Sequence, residues 1–192
     1  MKNPLELFND WYQKELALSQ VRIPSACCFS TIGEDGYPNS RFVSLKEIKN
    51  DCFVITGPLN SRKGYDVNHT PKVSLTFWWT ATEKQIRVQG NAQKLSDSEA
   101  IAYFADRNYD SKIVSTVFNQ GAEIQTLDEL SQRFQEGKLN HQNKTISKPT
   151  EWSGFYIQPR RIELMEFKAS RLHQRTLFVK SEERWQKTYL EP

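Results

Sequence analysis

The chain has 192 residues, a length suited to one domain, with 26 Lys+Arg against 23 Asp+Glu and a net charge of +3. So mild a surplus makes no case for nucleic acid or an anionic membrane surface, and 38% hydrophobic with 26% charged residues is a globular balance. No run nears the roughly 18–20 apolar residues of a spanning helix. The N-terminal residues lack the apolar stretch of a signal peptide. Cys27, Cys28 and Cys52, with histidines only at 69, 141 and 173, make neither a disulfide framework nor a zinc site. The expectation is a reduced, cytoplasmic, metal-free protein.

In residues 4–19, Leu5, Phe8, Trp11, Tyr12 and Leu16 fall on one helical face, and Pro4 suits a first turn. Strand-like segments follow at 26–32 and 39–45, joined by the turn Gly33-Glu34-Asp35-Gly36 and hence antiparallel. A short apolar strand at 52–56 ends at Gly57-Pro58, and 59–68 reads as a loop entering a short helix. Longer strands are expected at 73–79 and 85–95. Trp78 and Trp79 then face opposite ways, so at least one is core; Gln85, Arg87 and Gln89 share a face opposite Ile86 and Val88.

Ser96 and Glu99 have capping-box spacing and open a helix through Tyr103 and Phe104 toward Arg107. Thr126 and Glu129 repeat the form and open a helix to Gln135. Strands return at 154–158, 161–167, 172–179 and 185–190. The expected organisation is a single domain over 1–192: an N-terminal helix in 1–20, a helical insertion at 96–136, a polar loop at 137–150 and C-terminal strands at 152–192. Strands joined by turns, without a helix after each, predict a mainly β (α+β) antiparallel barrel with peripheral helices. No G-x-G-x-x-G and no Walker A loop supports a dinucleotide or P-loop fold.

Arg171, His173 and Arg175 stand at alternate positions and would share one strand face. Cations so close repel unless an anion lies among them, so a phosphate or carboxylate ligand is one reading. A solvated basic edge strand is the other. Arg41 and Lys46 bracket an apolar strand, and Arg62 and Lys63 stand at a helical start that favours anions; each pair also reads as ordinary surface charge. Tyr103, Arg107 and Ser111 recur at intervals of four, so Tyr103 and Arg107 share a face of the predicted helix. Neither a nucleophilic triad nor a carboxylate pair stands out.

In order, Arg41-Phe42-Val43-Ser44-Leu45-Lys46, Ser61-Arg62-Lys63-Gly64, Gln85-Ile86-Arg87-Val88-Gln89-Gly90, Tyr103-Phe104-Ala105-Asp106-Arg107 with Asp110-Ser111, Arg171-Leu172-His173-Gln174-Arg175 and the final Leu190-Glu191-Pro192 resemble the pyridoxamine 5'-phosphate oxidase family. The likeness runs from about residue 3 to the end of the chain. It implies an antiparallel split β-barrel of the FMN-binding type and a homodimer with FMN at its interface. The implied reaction oxidises pyridoxamine or pyridoxine 5'-phosphate to pyridoxal 5'-phosphate, with O₂ as acceptor and H₂O₂ released.

By the same resemblance, Arg41, Arg62 and Lys63 meet the FMN phosphate and ribityl chain. Phe42, Val43, Ser44, Leu45 and Lys46 line the flavin, with Ile55, Thr56, Gln85, Gln120 and Gly121; Met165 and Arg175 also belong to the cofactor shell. Lys46, Tyr103, Arg107 and Ser111 correspond to holders of the substrate phosphate. Arg171, Leu172 and His173 cover the substrate ring, with Arg171 and His173 catalytic and Arg171 nearest the reacting carbon.

Some positions depart from the family pattern. Gly121 replaces a Ser, Met165 a Trp, Gln174 an Asp and Ser153 a Gly, and the longer N-terminal arm that closes over the substrate has no counterpart before the first helix. These departures imply weaker or differently tuned FMN binding. They leave two alternatives open: a related FMN-dependent oxidase of another substrate, such as the phenazine-forming relatives, or a protein that binds FMN or pyridoxal 5'-phosphate without turnover.

Overall fold

The computed structural model describes residues 3–182 and 184–192. Helix α1 (Pro4–Leu18) starts at Asn3, whose side chain accepts the Leu5 N–H while Glu6 reaches back to the Asn3 N–H. Its apolar face buries Leu5 and Phe8, and the Phe8 ring meets Phe53 and Phe77 edge-on at 5.0 and 5.1 Å. Glu15, buried on the same helix, accepts the Ala81 and Thr82 N–H groups and the Thr82 hydroxyl, which ties α1 to a strand turn.

Strands β1 (Ala26–Ile32), β2 (Pro38–Lys49) and β3 (Cys52–Pro58) are followed by α2 (Arg62–His69), β4 (Lys72–Trp79) and β5 (Lys84–Lys94). Helices α3 (Asp97–Ala105), α4 (Tyr109–Val117) and α5 (Leu127–Asn140) precede β6 (Trp152–Glu166), β7 (Gln174–Ser181) and β8 (Arg184–Leu190). All pairings are antiparallel, in the order β3-β2-β1-β4-β5-β6-β7-β8. A further pairing of β3 with β6 closes six strands into a barrel. The 15-residue β6 makes this possible: 152–157 pair with β3, and 161–166 pair with β7 on the same edge. Alternation fills the barrel with Phe29, Phe53, Leu75, Phe77, Ile86, Val88 and Ile162, all 0% exposed, and Trp79 is core while Trp78 is exposed.

The expected barrel is present, with four local differences. The strands read at 154–158 and 161–167 are one, because a register shift at Gln89/Gly90 of β5 lets β6 run past Pro159. The helix drawn toward Arg107 stops at Ala105, and Asn108, whose side chain accepts the Ser111 N–H, starts the unanticipated α4. Tyr103 and Arg107 therefore do not share a helix face. Helix α5 runs to Asn140 instead of Gln135, into the expected polar loop. Gly137 keeps it packed on α4, since a Cβ there would lie 2.6 Å from the Val117 side chain. Finally, β7 starts at Gln174, so Arg171, Leu172 and His173 form the turn before it and the shared row with Arg175 does not exist. Arg171 has φ 66°, and the Arg171 N–H bonds the Lys168 carbonyl, a left-handed turn that ends the extended run. Among the described residues no helix is long and apolar enough to cross a membrane.

Candidate functional site

A cavity of about 590 Å³ opens beside β2 and β3, between the start of α2, helix α4 and the first residue of β6. Strand β2 lends Arg41, Phe42, Val43, Ser44 and Lys46; β3 lends Thr56, Gly57 and Pro58; Ser61, Arg62 and Lys63 come from the entry to α2. Arg107, Val114, Ser115, Phe118, Gln120 and Gly121 form the opposite wall, with Trp152 beside them. A register shift between Leu45 and Glu47 re-aims the strand at Lys46. Gly64 sets the sharp entry to α2, for a Cβ there would fall 1.9 Å from the Leu59 carbonyl oxygen.

Five cations line this space, and they are not alike. Buried Asp66 accepts Arg62 Nε at 3.0 Å, Arg41 Nη2 at 3.5 Å and the Thr31 hydroxyl at 2.6 Å, while Asp35 takes Arg62 Nη2 at 2.8 Å. Arg41 and Arg62 are thus fixed by carboxylates. Among the described residues, Lys46, Lys63 and Arg107 make no ion pair. Lys63 Nζ instead donates to Ser61 Oγ at 2.8 Å and to Gln120 Oε1. Burial, reinforced by the Arg41 charge, pushes the Lys63 ammonium down to about 8. Burial and the nearby Arg107 charge lower Lys46, and burial lowers Arg107.

Hydrogen-bonding capacity is also left over. Thr56 Oγ1, Arg107 Nε and Trp152 Nε1 are buried without a hydrogen-bond partner, and all three residues line the cavity. Cations without an ion pair, beside unused buried donors, are the complement of a phosphate ester. The donor set therefore fits a phosphate-bearing cofactor such as FMN.

The other expected site residues lie elsewhere. Leu45 and Ile55 are core, 4% and 1% exposed. Tyr103 donates to the Glu47 carboxylate, and burial and that carboxylate raise its phenol further. Ser111 gives its N–H to Asn108 and its carbonyl to Arg107; neither Tyr103 nor Ser111 lines the cavity. Gln85, Met165 and Arg175 stand in register across β5, β6 and β7, with Trp78 opposite Gln85. Phe167 bridges Trp78 at 4.8 Å and His173 at 4.7 Å between ring centroids, and His173 Nδ1 accepts the Lys168 N–H. Leu172 in the same turn is 70% exposed.

This second group is outside the cavity. Met165 is separated from Trp152 by nearly the whole of β6, roughly 40 Å of strand at ~3.3 Å per residue. Sequence reasoning missed Ser115 and Phe118, which α4 and its C-cap bring to the site, and Trp152, which the pairing of β6 with Pro58 of β3 brings there. Asn108 ahead of Tyr109 was the available signal. No residue of 137–150 lines the cavity; Lys148 ties that segment to Asp97 and to the Trp152 carbonyl.

A closed antiparallel barrel with a cation-lined cleft at its flank defines the split-barrel class of flavin-binding proteins. Two solved structures share the fold over the whole chain. A pyridoxamine 5'-phosphate oxidase-related, FMN-binding protein from Nostoc punctiforme has a TM-score of 0.82 at 12% identity, with 98% of that chain covered. PhzG from Burkholderia lata, in complex with tetrahydrophenazine-1-carboxylic acid, has a TM-score of 0.92 at 24% identity, with 94% of it covered.

The family is narrower than the fold. Residues 14–141 match the pyridoxamine 5'-phosphate oxidase model, and 152–192 match the pyridoxine 5'-phosphate oxidase C-terminal dimerisation region. Pyridoxine/pyridoxamine 5'-phosphate oxidases are similar along nearly their full length. That of Trichormus variabilis is 35% identical over 99% of this chain and 89% of its own; that of Bdellovibrio bacteriovorus is 37% identical over 98% and 96%. The Haemophilus influenzae enzyme is 35% identical over 100% and 90%. The chain belongs to the pyridoxamine 5'-phosphate oxidase family, and FMN is the cofactor that goes with that family.

Proposed function

We propose that the protein oxidises pyridoxamine 5'-phosphate and pyridoxine 5'-phosphate to pyridoxal 5'-phosphate. For the amine, substrate, water and O₂ give pyridoxal 5'-phosphate, ammonia and H₂O₂; for the alcohol, substrate and O₂ give the aldehyde and H₂O₂. The observation that carries this reading is the set of three cations, Lys46, Lys63 and Arg107, which make no ion pair among the described residues and surround buried unused donors. Two phosphate-bearing molecules in one cleft need such a set.

When bound, FMN supplies two-electron acceptance from the substrate carbon and delivery to O₂. Arg41, Arg62 and Lys63 hold its phosphate, the first two already oriented by Asp66. Phe42, Val43, Ser44 and Thr56 flank it, and Gln120 exchanges its bond to Lys63 for one to the ligand. Lys46 and Arg107 orient the substrate through its phosphate. Arg171 and His173 cover the ring and exclude water, with Leu172 as an apolar edge.

Those last residues, with Gln85, Met165 and Arg175, need a second protomer. In the homodimer the 165–175 end of one protomer closes over the cavity of the other, in keeping with the match to a dimerisation region. The reaction is placed in the cytoplasm, in keeping with three free cysteines and bacterial relatives.

The test is aerobic turnover of pyridoxamine 5'-phosphate by the FMN-loaded protein. Pyridoxal 5'-phosphate and H₂O₂ appear in equal amounts, and Arg107→Ala raises KM about tenfold or more by loss of a charge-assisted contact. No product at any substrate concentration contradicts the reading. A related oxidase of another substrate is the second reading, supported by Met165 and Gly121 where the family pattern has Trp and Ser. Flavin reduction by a different substrate alone would favour it.

A further inference from the structure

Trp152 is 1% exposed at the first position of β6, where its N–H bonds the Pro149 carbonyl. One contact of its indole is the Phe104 ring of α3, edge-on at 5.1 Å. Another is the Arg107 guanidinium, 5.0 Å from the ring centroid. Arg107 Nη2 donates to the Ser111 carbonyl at 2.9 Å and to Ser115 Oγ at 3.1 Å, while its Nε has no partner. The guanidinium is thus held by an aromatic face and two oxygens at one end, with donor capacity left at the other. Lys46 lines the same cavity and feels the Arg107 charge.

We infer that Trp152 is a positioning residue: its indole face aims Arg107 at a phosphate ester. The inference rests on the proposed reading of the cavity as a phosphate site. Arg binds phosphate through a planar fork, so its orientation matters as well as its charge. A cation–π contact supplies orientation without neutralising charge, which a carboxylate in the same place would do. Asp66 orients Arg41 and Arg62 at the cost of sharing its carboxylate with them; Arg107 is oriented by an aromatic ring instead and shares its charge with no carboxylate in an ion pair.

The test is calorimetric titration of the FMN-loaded protein with 4-deoxypyridoxine 5'-phosphate and with 4-deoxypyridoxine, which have no oxidisable group at the reacting carbon. Trp152→Leu should weaken the phosphate ester about tenfold and leave the phosphate-free ligand within about twofold. Trp152→Phe keeps an aromatic face and should stay within about threefold of the parent for both ligands. If Trp152→Leu does not fold, Trp152→Met takes its place. Unchanged ester affinity in a folded variant lacking the ring, or equal loss of both ligands, overturns the inference. Parent protein that binds the ester no better than the free base overturns the phosphate reading itself. Tight ester binding that responds as expected, with no oxidation of pyridoxamine 5'-phosphate, sinks the proposed activity and leaves the role of Trp152 standing.

Discussion

Arg175 on β7 donates through Nε and Nη2 to one oxygen of Glu163 on β6, at 3.0 and 2.7 Å. Arg87 on β5 takes the other oxygen at 3.3 Å, and Glu163 is only 5% exposed. One buried carboxylate therefore binds three strands together, and Arg175 reaches on to the Glu191 carbonyl near the C-terminus. Removing the carboxylate leaves two guanidinium groups without it in a partly buried place. Glu163→Ala is expected to lower unfolding free energy by about 3 kcal/mol, measured by urea denaturation. A loss below about 1 kcal/mol would mean that solvent already screens the cluster.

Lys63 gives the site a pH dependence of definite sign. Its folded pKa of about 8 lies below the ordinary 10.5, so the unfolded chain binds more protons between those values. The free protein should therefore gain stability as pH rises from 8 toward 10.5, the penalty being complete below 8. A bound phosphate favours the protonated amine and reverses this. FMN binding near pH 8.5 should take up protons, seen as buffer-dependent heats, and should weaken at higher pH. Lys63→Met should abolish both the uptake and the stability slope. Persistence of either in that variant would assign it to another group.

Ser153 is 2% exposed and its hydroxyl has no partner. A buried unpaired hydroxyl is costly, and Ser153→Ala removes it without changing the backbone pairing to Gly57. The expected gain is about 1 kcal/mol in urea denaturation, with FMN affinity unaltered. A destabilised variant would show that the hydroxyl has a partner in solution.

The homodimer makes a mass prediction. Sedimentation should give twice the chain mass of 22.4 kDa. Phe42 and Leu172, 79% and 70% exposed, belong to the two groups that the dimer would bring together. Leu172→Asp should lower the mass to that of one chain and release FMN together with it. A dimer of unchanged stability, with FMN retained, would place the interface elsewhere.

Much of the barrel was legible because strands carry their alternation openly. Ile86 and Val88 read as one face opposite Gln85, Arg87 and Gln89 in the sequence, and both are buried in the structure. The cation pairs Arg41/Lys46 and Arg62/Lys63 read equally as surface charge from the residues alone, and only the resemblance to the family gave them a ligand. What failed was local competition. Residues 171–173 alternate as a strand would, yet a left-handed Arg171 and the His173–Lys168 bond make them a turn. Arg175 read as a free cation because its carboxylate, Glu163, is distant in sequence and adjacent only through strand register. Trp152 and Ser115 were invisible for the same reason: their common partner, Arg107, joins β6 to a helix the spacing did not reveal.

The central claim is that this chain, loaded with FMN, takes two electrons from a B6 phosphate. Anaerobic mixing with pyridoxamine 5'-phosphate, followed by flavin absorbance, tests it most directly. The account predicts bleaching of the oxidised flavin band with one pyridoxal 5'-phosphate formed per FMN, and recovery of the band with one H₂O₂ when O₂ is admitted. A flavin that stays oxidised at saturating pyridoxamine 5'-phosphate would contradict it.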